Sequence, residues 1–244
     1  MRTTKLFGIP IAVGKREELL TALRSLLEEG GTVATVNATM LEHARKSKTF
    51  AKTLCSMSLC IPDGEGVRLA LKKRGVETDT LPGVELALLL PERKENLRLA
   101  LYGGRVGVGE RAWESIRRHA QSTQLVYIKD GYSHSPFEVG RELSALSVDL
   151  LYVCLGSPRQ EEVACMLSRI LPCTLIIGLG GTLDVLSGDI PRAPKKIREL
   201  GCEWLWRMAY EPRRFVKFPS LLSFGIHSFL ERLHTKSTKS EAKR

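Results

Sequence analysis

"LCIPDGEGVRLAL", residues 59–71, holds the junction on which the fold depends. An uninterrupted apolar run ends at Pro62, the pair Asp63–Gly64 follows, and an amphipathic segment begins almost at once. Apolar runs of this length suit a strand buried on both faces, and glycine allows the tight turn from which a helix can start. Asp63 therefore stands where strand gives way to helix. It can act as an N-cap, accepting hydrogen bonds from the first free N–H groups. It can equally serve as a base at the edge of a sheet, where small ligands bind in open α/β folds. Locally, both readings stay open.

The same junction recurs along the chain. Strand-like runs occupy residues 31–37, 58–62, 97–104, 124–131, 148–156 and 174–181, and most finish in Gly, Asn or Pro-Asp. Helical patterns fill 15–29, 38–54, 64–74, 83–92, 106–121, 136–147 and 158–171. Alternation at this rhythm, with continuous apolar strands, predicts an α/β fold around a largely parallel sheet flanked by helices.

At 244 residues the chain can bury a proper core. Its first twenty residues lack the apolar run and cleavage site of a signal peptide, and no run approaches the ~18 apolar residues of a spanning helix. A cytoplasmic protein is expected. The six cysteines form no CxxC pair and the five histidines no HExxH, so buried, reduced thiols are expected and no residue is assigned to a metal.

Charge is distributed unevenly. Of the formal net charge of +10, a net of +8 falls between Arg192 and Arg244, where thirteen Lys and Arg face five Asp and Glu. That end calls for an anionic partner: phosphates, nucleic acid or an anionic membrane surface. Helices are expected over 195–210 and 219–233. The second carries a broad apolar stripe of Leu222, Phe224, Ile226, Phe229, Leu230 and Leu233. Such a basic, aromatic, amphipathic terminus suits membrane-surface contact, the alternative being a helix packed on the domain with a solvated basic face. Self-association through the stripe would also cover it. From His234 onward the chain is polar and reads as disordered. A nucleic-acid module would fit the charge, but no helix-turn-helix, RNP or zinc signature accompanies it. The glycine turns at 103–109 and 178–181 invite an NAD reading, yet neither is a GxGxxG with an acidic residue at the ribose distance.

Four motifs, taken in order, resemble the WecG/TagA/CpsF family of bacterial glycosyltransferases: "TVNATM" (35–40), "IPDGEGV" (61–67), "GSPRQEE" (156–162) and "SGDIPRAPKKIRELGCEWLWRMAYEPRR" (187–214). The resemblance covers roughly residues 5–218. The chain departs from the family pattern at Thr80, where an arginine is expected, at Glu85, where aspartate is expected, and at Pro-Arg-Gln-Glu, where the family has Pro-Lys-Gln-Glu. The resemblance implies an inverting transferase with no metal or cofactor. It would move an N-acetylmannosamine-type sugar from UDP to the 4-hydroxyl of GlcNAc on a polyprenyl diphosphate lipid. The β-linked product would feed wall teichoic acid or a similar surface polymer, at the inner face of the membrane. It further implies a Rossmann-like catalytic core over residues 1–190 and a helical appendage over 191–233 that completes the site, followed by a basic tail, 234–244. No nucleic-acid partner is implied.

Direct displacement at a sugar C1 needs a base for the incoming hydroxyl and support for the leaving diphosphate. By the resemblance Asp63 is the base, with Gly64 allowing close approach of the ligand. No Asp-x-Asp motif is present to hold a metal, so guanidinium groups must support the diphosphate. Arg214, of the family's EP.R pattern, comes first, then Arg207 and Arg192, the last with structural pairing to a carboxylate as its alternative. Asn37 and Gln160 are candidates for the sugar. Thr35 belongs to the same motif as Asn37, though as a strand residue it can face the other way. The turn at Gly180 and Gly181 would admit uridine or diphosphate, Asp184 would hold the ribose or brace the loop, and Tyr132 would border the pocket.

Overall fold

The computed structural model describes residues 1–211, 215, 216 and 218–241. Two short strands come first, β1 (Thr3–Leu6) and β2 (Ile9–Ala12), paired antiparallel with Leu6 opposite Ile9. The sequence reading missed this hairpin. Its turn is Phe7–Gly8, with φ of 51° and 80°, and positive φ at both central residues is what a two-residue hairpin loop requires.

The expected sheet follows. Helix α1 (Arg16–Glu29) leads into β3 (Gly31–Val36), α2 (Ala38–Lys46), α3 (Lys48–Ser56), β4 (Leu59–Pro62) and α4 (Glu65–Lys72). After α5 (Gly83–Leu89) come β5 (Arg98–Gly103), α6 (Val108–His119), β6 (Gln124–Lys129) and α7 (Pro136–Ser144). Then follow β7 (Leu150–Cys154), α8 (Arg159–Leu167), β8 (Leu175–Gly178) and α9 (Thr182–Leu186). Strands β3 to β8 form one six-stranded sheet, in the order β4-β3-β8-β7-β5-β6, with every pairing parallel. The segment expected as one helix over 38–54 is two. Ser47 ends α2, and its hydroxyl accepts the Phe50 N–H at 3.3 Å to start α3.

Side chains alternate across the sheet. Ala34, Cys60, Ala100, Tyr102, Leu151, Val153 and Ile176 face a core shared with α2, α3, α4, α7 and α8. Val33, Ile61, Leu99, Leu101, Tyr152 and Ile177 face the other, shared with α1, α5, α6 and α9. Burial on both faces is why these strands read as continuous apolar runs. Cys60 and Cys154 are buried as expected; Cys55 and Cys173 are exposed.

Beyond residue 190 the chain forms α10 (Lys195–Glu199), α11 (Glu203–Tyr210) and α12 (Phe218–Glu241). The single helix expected over 195–210 is broken at Gly201, whose φ is 70° and where a Cβ would collide with the Glu65 side chain. The last helix is drawn from Phe218 to Glu241. Residues 242–244 lie outside the described residues. Helix α12 packs on α2 and α4. Phe224 is buried against Phe7, with ring centroids 5.6 Å apart, and Ser223 donates to Glu42 at 2.7 Å. Among the described residues no helix is long and apolar enough to cross a membrane.

Candidate active site

The carboxyl ends of β4, β3 and β8 open onto a cavity of ≈ 480 Å³, roofed by α10, α11 and α12. Ligands of open parallel sheets bind at this edge. Asp63 lies in the wall, directly after β4, with its backbone N–H bonded to the Val36 carbonyl at 2.8 Å. It does not cap α4. Gly64, at φ 90°, occupies that N-cap position and the helix has no side-chain cap. The carboxylate instead meets the Gly83 N–H at the start of α5. Burial pushes its pKa up to about 6 and Glu203 adds to the rise, while Arg207 and the Gly83 N–H act against it. A carboxylate poised there is a competent base near neutral pH.

Arg207 comes from α11 and reaches the same cavity. Its Nη2 donates to the Gly181 carbonyl at 3.2 Å, and its buried Nε has no hydrogen-bond partner among the described residues. Its charge is felt by both Asp63 and Asp184. An unsatisfied buried guanidinium nitrogen is costly unless a ligand completes it.

The remaining candidates divide. Asn37 lines the cavity, but its Oδ1 caps α2, accepting from Met40 N at 3.1 Å and Thr39 Oγ1 at 2.7 Å; its amide NH2 is left to donate. Gly64 also lines it. Thr35 does not: it is buried and donates to the Gly178 carbonyl at 2.8 Å, tying β3 to β8. Gln160 is likewise buried beneath the β8 turn. Its Oε1 accepts the Gly180 N–H at 2.8 Å, and its Nε2 donates to Glu161 at 2.6 Å. It braces the turn, and neither Gly180 nor Gly181 lines the cavity, although their neighbours Leu179 and Thr182 do. Asp184 sits outside the cavity wall, its pKa raised chiefly by burial. Tyr132 is exposed and away from the wall. Arg192 pairs with Glu85 at 3.1 Å, the structural alternative, and does not line the cavity. Arg214 lies outside the described residues.

Sequence reasoning missed several parts of the wall: Arg198, Glu203, and the apolar side formed by Leu69, Trp204, Met208, Leu221 and Phe224. The apolar stripe on α12 was the available signal for Phe224. Among the described residues no group of three His, Cys, Asp or Glu side chains is placed to hold a metal ion.

Residues 4–238 match the family described as "Glycosyl transferase WecG/TagA/CpsF family". An N-acetylglucosaminyldiphosphoundecaprenol N-acetyl-beta-D-mannosaminyltransferase of Bacillus subtilis is 26% identical over 211 residues, covering 85% of this chain and 82% of that protein. A protein of the same name from Bacillus spizizenii is 28% identical over 196 residues, covering 79% and 76%. With a match over nearly its whole length and a six-stranded parallel sheet carrying the motifs on one edge, the chain belongs to the WecG/TagA/CpsF family of glycosyl transferases.

Proposed function

We propose that this enzyme transfers N-acetylmannosamine, or a closely related sugar, from UDP to the 4-hydroxyl of GlcNAc carried on a polyprenyl diphosphate. The Asp63 carboxylate takes the proton of the attacking hydroxyl. The new C1–O bond forms as the bond to UDP breaks, and the electron pair leaves with the diphosphate. A single displacement of this kind inverts C1 and yields a β-linked disaccharide-lipid. Arg207 compensates the departing charge, so no metal is required. Asn37 donates its amide to the sugar. The nucleotide lies on the Asp184 side of Arg207, the acceptor on the apolar side beneath α12.

The observation that carries this reading is the pairing of an elevated carboxylate, Asp63, with a guanidinium whose Nε awaits a partner. The names of the two relatives supply the sugar and the lipid. A row of exposed apolar side chains on the appendage, including Trp204, Leu205, Tyr210, Leu222, Ile226 and Phe229, supports peripheral attachment to the cytoplasmic membrane face, where such a lipid resides. The test is a donor screen with purified protein and a soluble polyprenyl-diphosphate-GlcNAc analogue, following UDP release in the presence of a chelator. Release with UDP-N-acetylmannosamine supports the reading; release only with another donor or only with added metal overturns the corresponding part.

A further inference from the structure

The reaction proposed above brings two diphosphates to one site, one on the donor nucleotide and one on the lipid acceptor, and Arg207 can serve only one. A second cationic group lines the same cavity. Arg198, on α10, belongs to a cluster in which three guanidiniums converge on a single carboxylate, Glu85 of α5. Arg16 holds Glu85 Oε2 at 2.7 Å, while Arg192 and Arg198 share Oε1 at 3.1 and 3.4 Å. One carboxylate cannot neutralise three guanidiniums. Glu203 lies close enough to offset part of the charge on Arg192, yet burial and, after it, the charge of Arg198 lower its pKa. Of the three arginines, Arg198 alone reaches the cavity wall, and it is the one Glu85 holds at the longest distance. Its Nε is anchored on the Ala193 carbonyl at 3.1 Å, which fixes the plane of the fork. Thr80, also in the wall, is uncharged and supplies no cation there.

We propose that Arg198 is the binding residue for the diphosphate of the lipid acceptor, separate from the donor diphosphate held at Arg207. The inference rests on the transferase reading. The two arginines have different anchors, Gly181 beside β8 for Arg207 and Glu85 on α5 for Arg198. An acceptor diphosphate at Arg198 would sit in the cavity whose wall includes Leu69, Trp204 and Phe224, which offers the first prenyl units an apolar surface. Guanidinium forks suit such bidentate contact with phosphate oxygens.

The experiment titrates full-length protein with farnesyl diphosphate and, separately, with UDP, by calorimetry. Wild-type protein should bind both, neither displacing the other. Arg198→Ala should weaken farnesyl diphosphate about tenfold and leave UDP within about twofold, and Arg207→Ala should do the reverse. Arg198→Gln, which keeps the stem and a donor, should show the same selectivity if Arg198→Ala fails to fold. Arg16→Ala removes another Glu85 contact away from the cavity and should leave both affinities within about twofold, which a purely structural role for the cluster would not do. Equal loss of both ligands in Arg198→Ala, or undiminished farnesyl diphosphate binding, overturns the proposal. Wild-type protein that binds UDP but not farnesyl diphosphate overturns it alone; protein that binds neither overturns the transferase reading with it.

Discussion

Among single residues, the proposed chemistry depends most on the protonation state of Asp63. A base must be ionised, so kcat/KM should rise as pH increases through about 6 and level off above it, the limb belonging to Asp63 in the free enzyme. The same burial has a cost to the fold. Because the folded pKa lies above the unfolded one, the stability tied to this group is present below the unfolded value of 3.8 and is lost as pH rises to about 6. Asp63→Asn should therefore melt higher than wild type at pH 7, on the order of 5 °C for a cost of up to about 3 kcal/mol, with the gap closing below pH 4. Equal melting points across that range would show that the carboxylate is not strained by burial. The place of Asp63 in the cavity wall was legible because it follows directly on a strand end with a proline before it and a glycine after it. A motif records which residues sit together, not which way they face: Gln160 lies beneath the β8 turn, and Thr35, as a strand residue can, faces away from the cavity. Both hydrogen-bond to backbone around β8 and shape the cavity from behind.

Elements were legible in proportion to their periodicity. All six strands of the parallel sheet were readable, since burial on both faces leaves an uninterrupted apolar signature, whereas the β1–β2 hairpin rests on a Phe-Gly turn that carries little pattern. The placement of α12 depends on tertiary partners that no local signal reveals. Glu42 on α2 is fully buried, held by Arg45 at 2.9 Å, Lys46 at 3.0 Å and the Ser223 hydroxyl. These partners, Arg45 foremost, hold its carboxyl down at about 2. Its contribution is present above the unfolded value of 4.5 and is lost as pH falls from there toward 2. Hydrogen exchange should accordingly show the amides of 221–230 losing protection over that acid window, ahead of those in β3, β7 and β8. Exchange that is lost together everywhere would show that α12 docks by apolar contact alone. Between α10 and α11, Gly201→Ala should disturb the turn that sets Arg198 and Arg207, through both its positive φ and the collision with Glu65. A drop in turnover of tenfold or more, with the melting point of the sheet little changed, is the expected outcome; unaltered turnover would show that this turn does not position the arginines.

For the molecule as a whole, the proposed reaction draws its base, Asp63, from the sheet edge, while the helices beyond residue 190 bring Arg198, Arg207 and much of the apolar wall to it. Truncation after residue 190 should leave a folded sheet with almost no transfer activity, since Arg198 and Arg207 go with the appendage. A truncated protein with full rates would show that the core is sufficient. The exposed apolar row on α11 and α12 should insert into anionic vesicles, shifting tryptophan emission to shorter wavelength, and neutral vesicles should do so less. No shift with either would remove the membrane from the account. The concentration of positive charge beyond residue 190 was legible in the sequence; the way that end folds back over the sheet edge was not, because it depends on Phe224 finding Phe7 across 217 positions of sequence.

The most direct measurement is the turnover of Asp63→Asn at saturating donor and acceptor, compared with wild type. The account predicts a fall of about 10²- to 10⁴-fold with UDP affinity retained. Turnover within a few-fold of wild type would contradict it, leaving Asp63 a helper of the α5 N-terminus and the base still to be found.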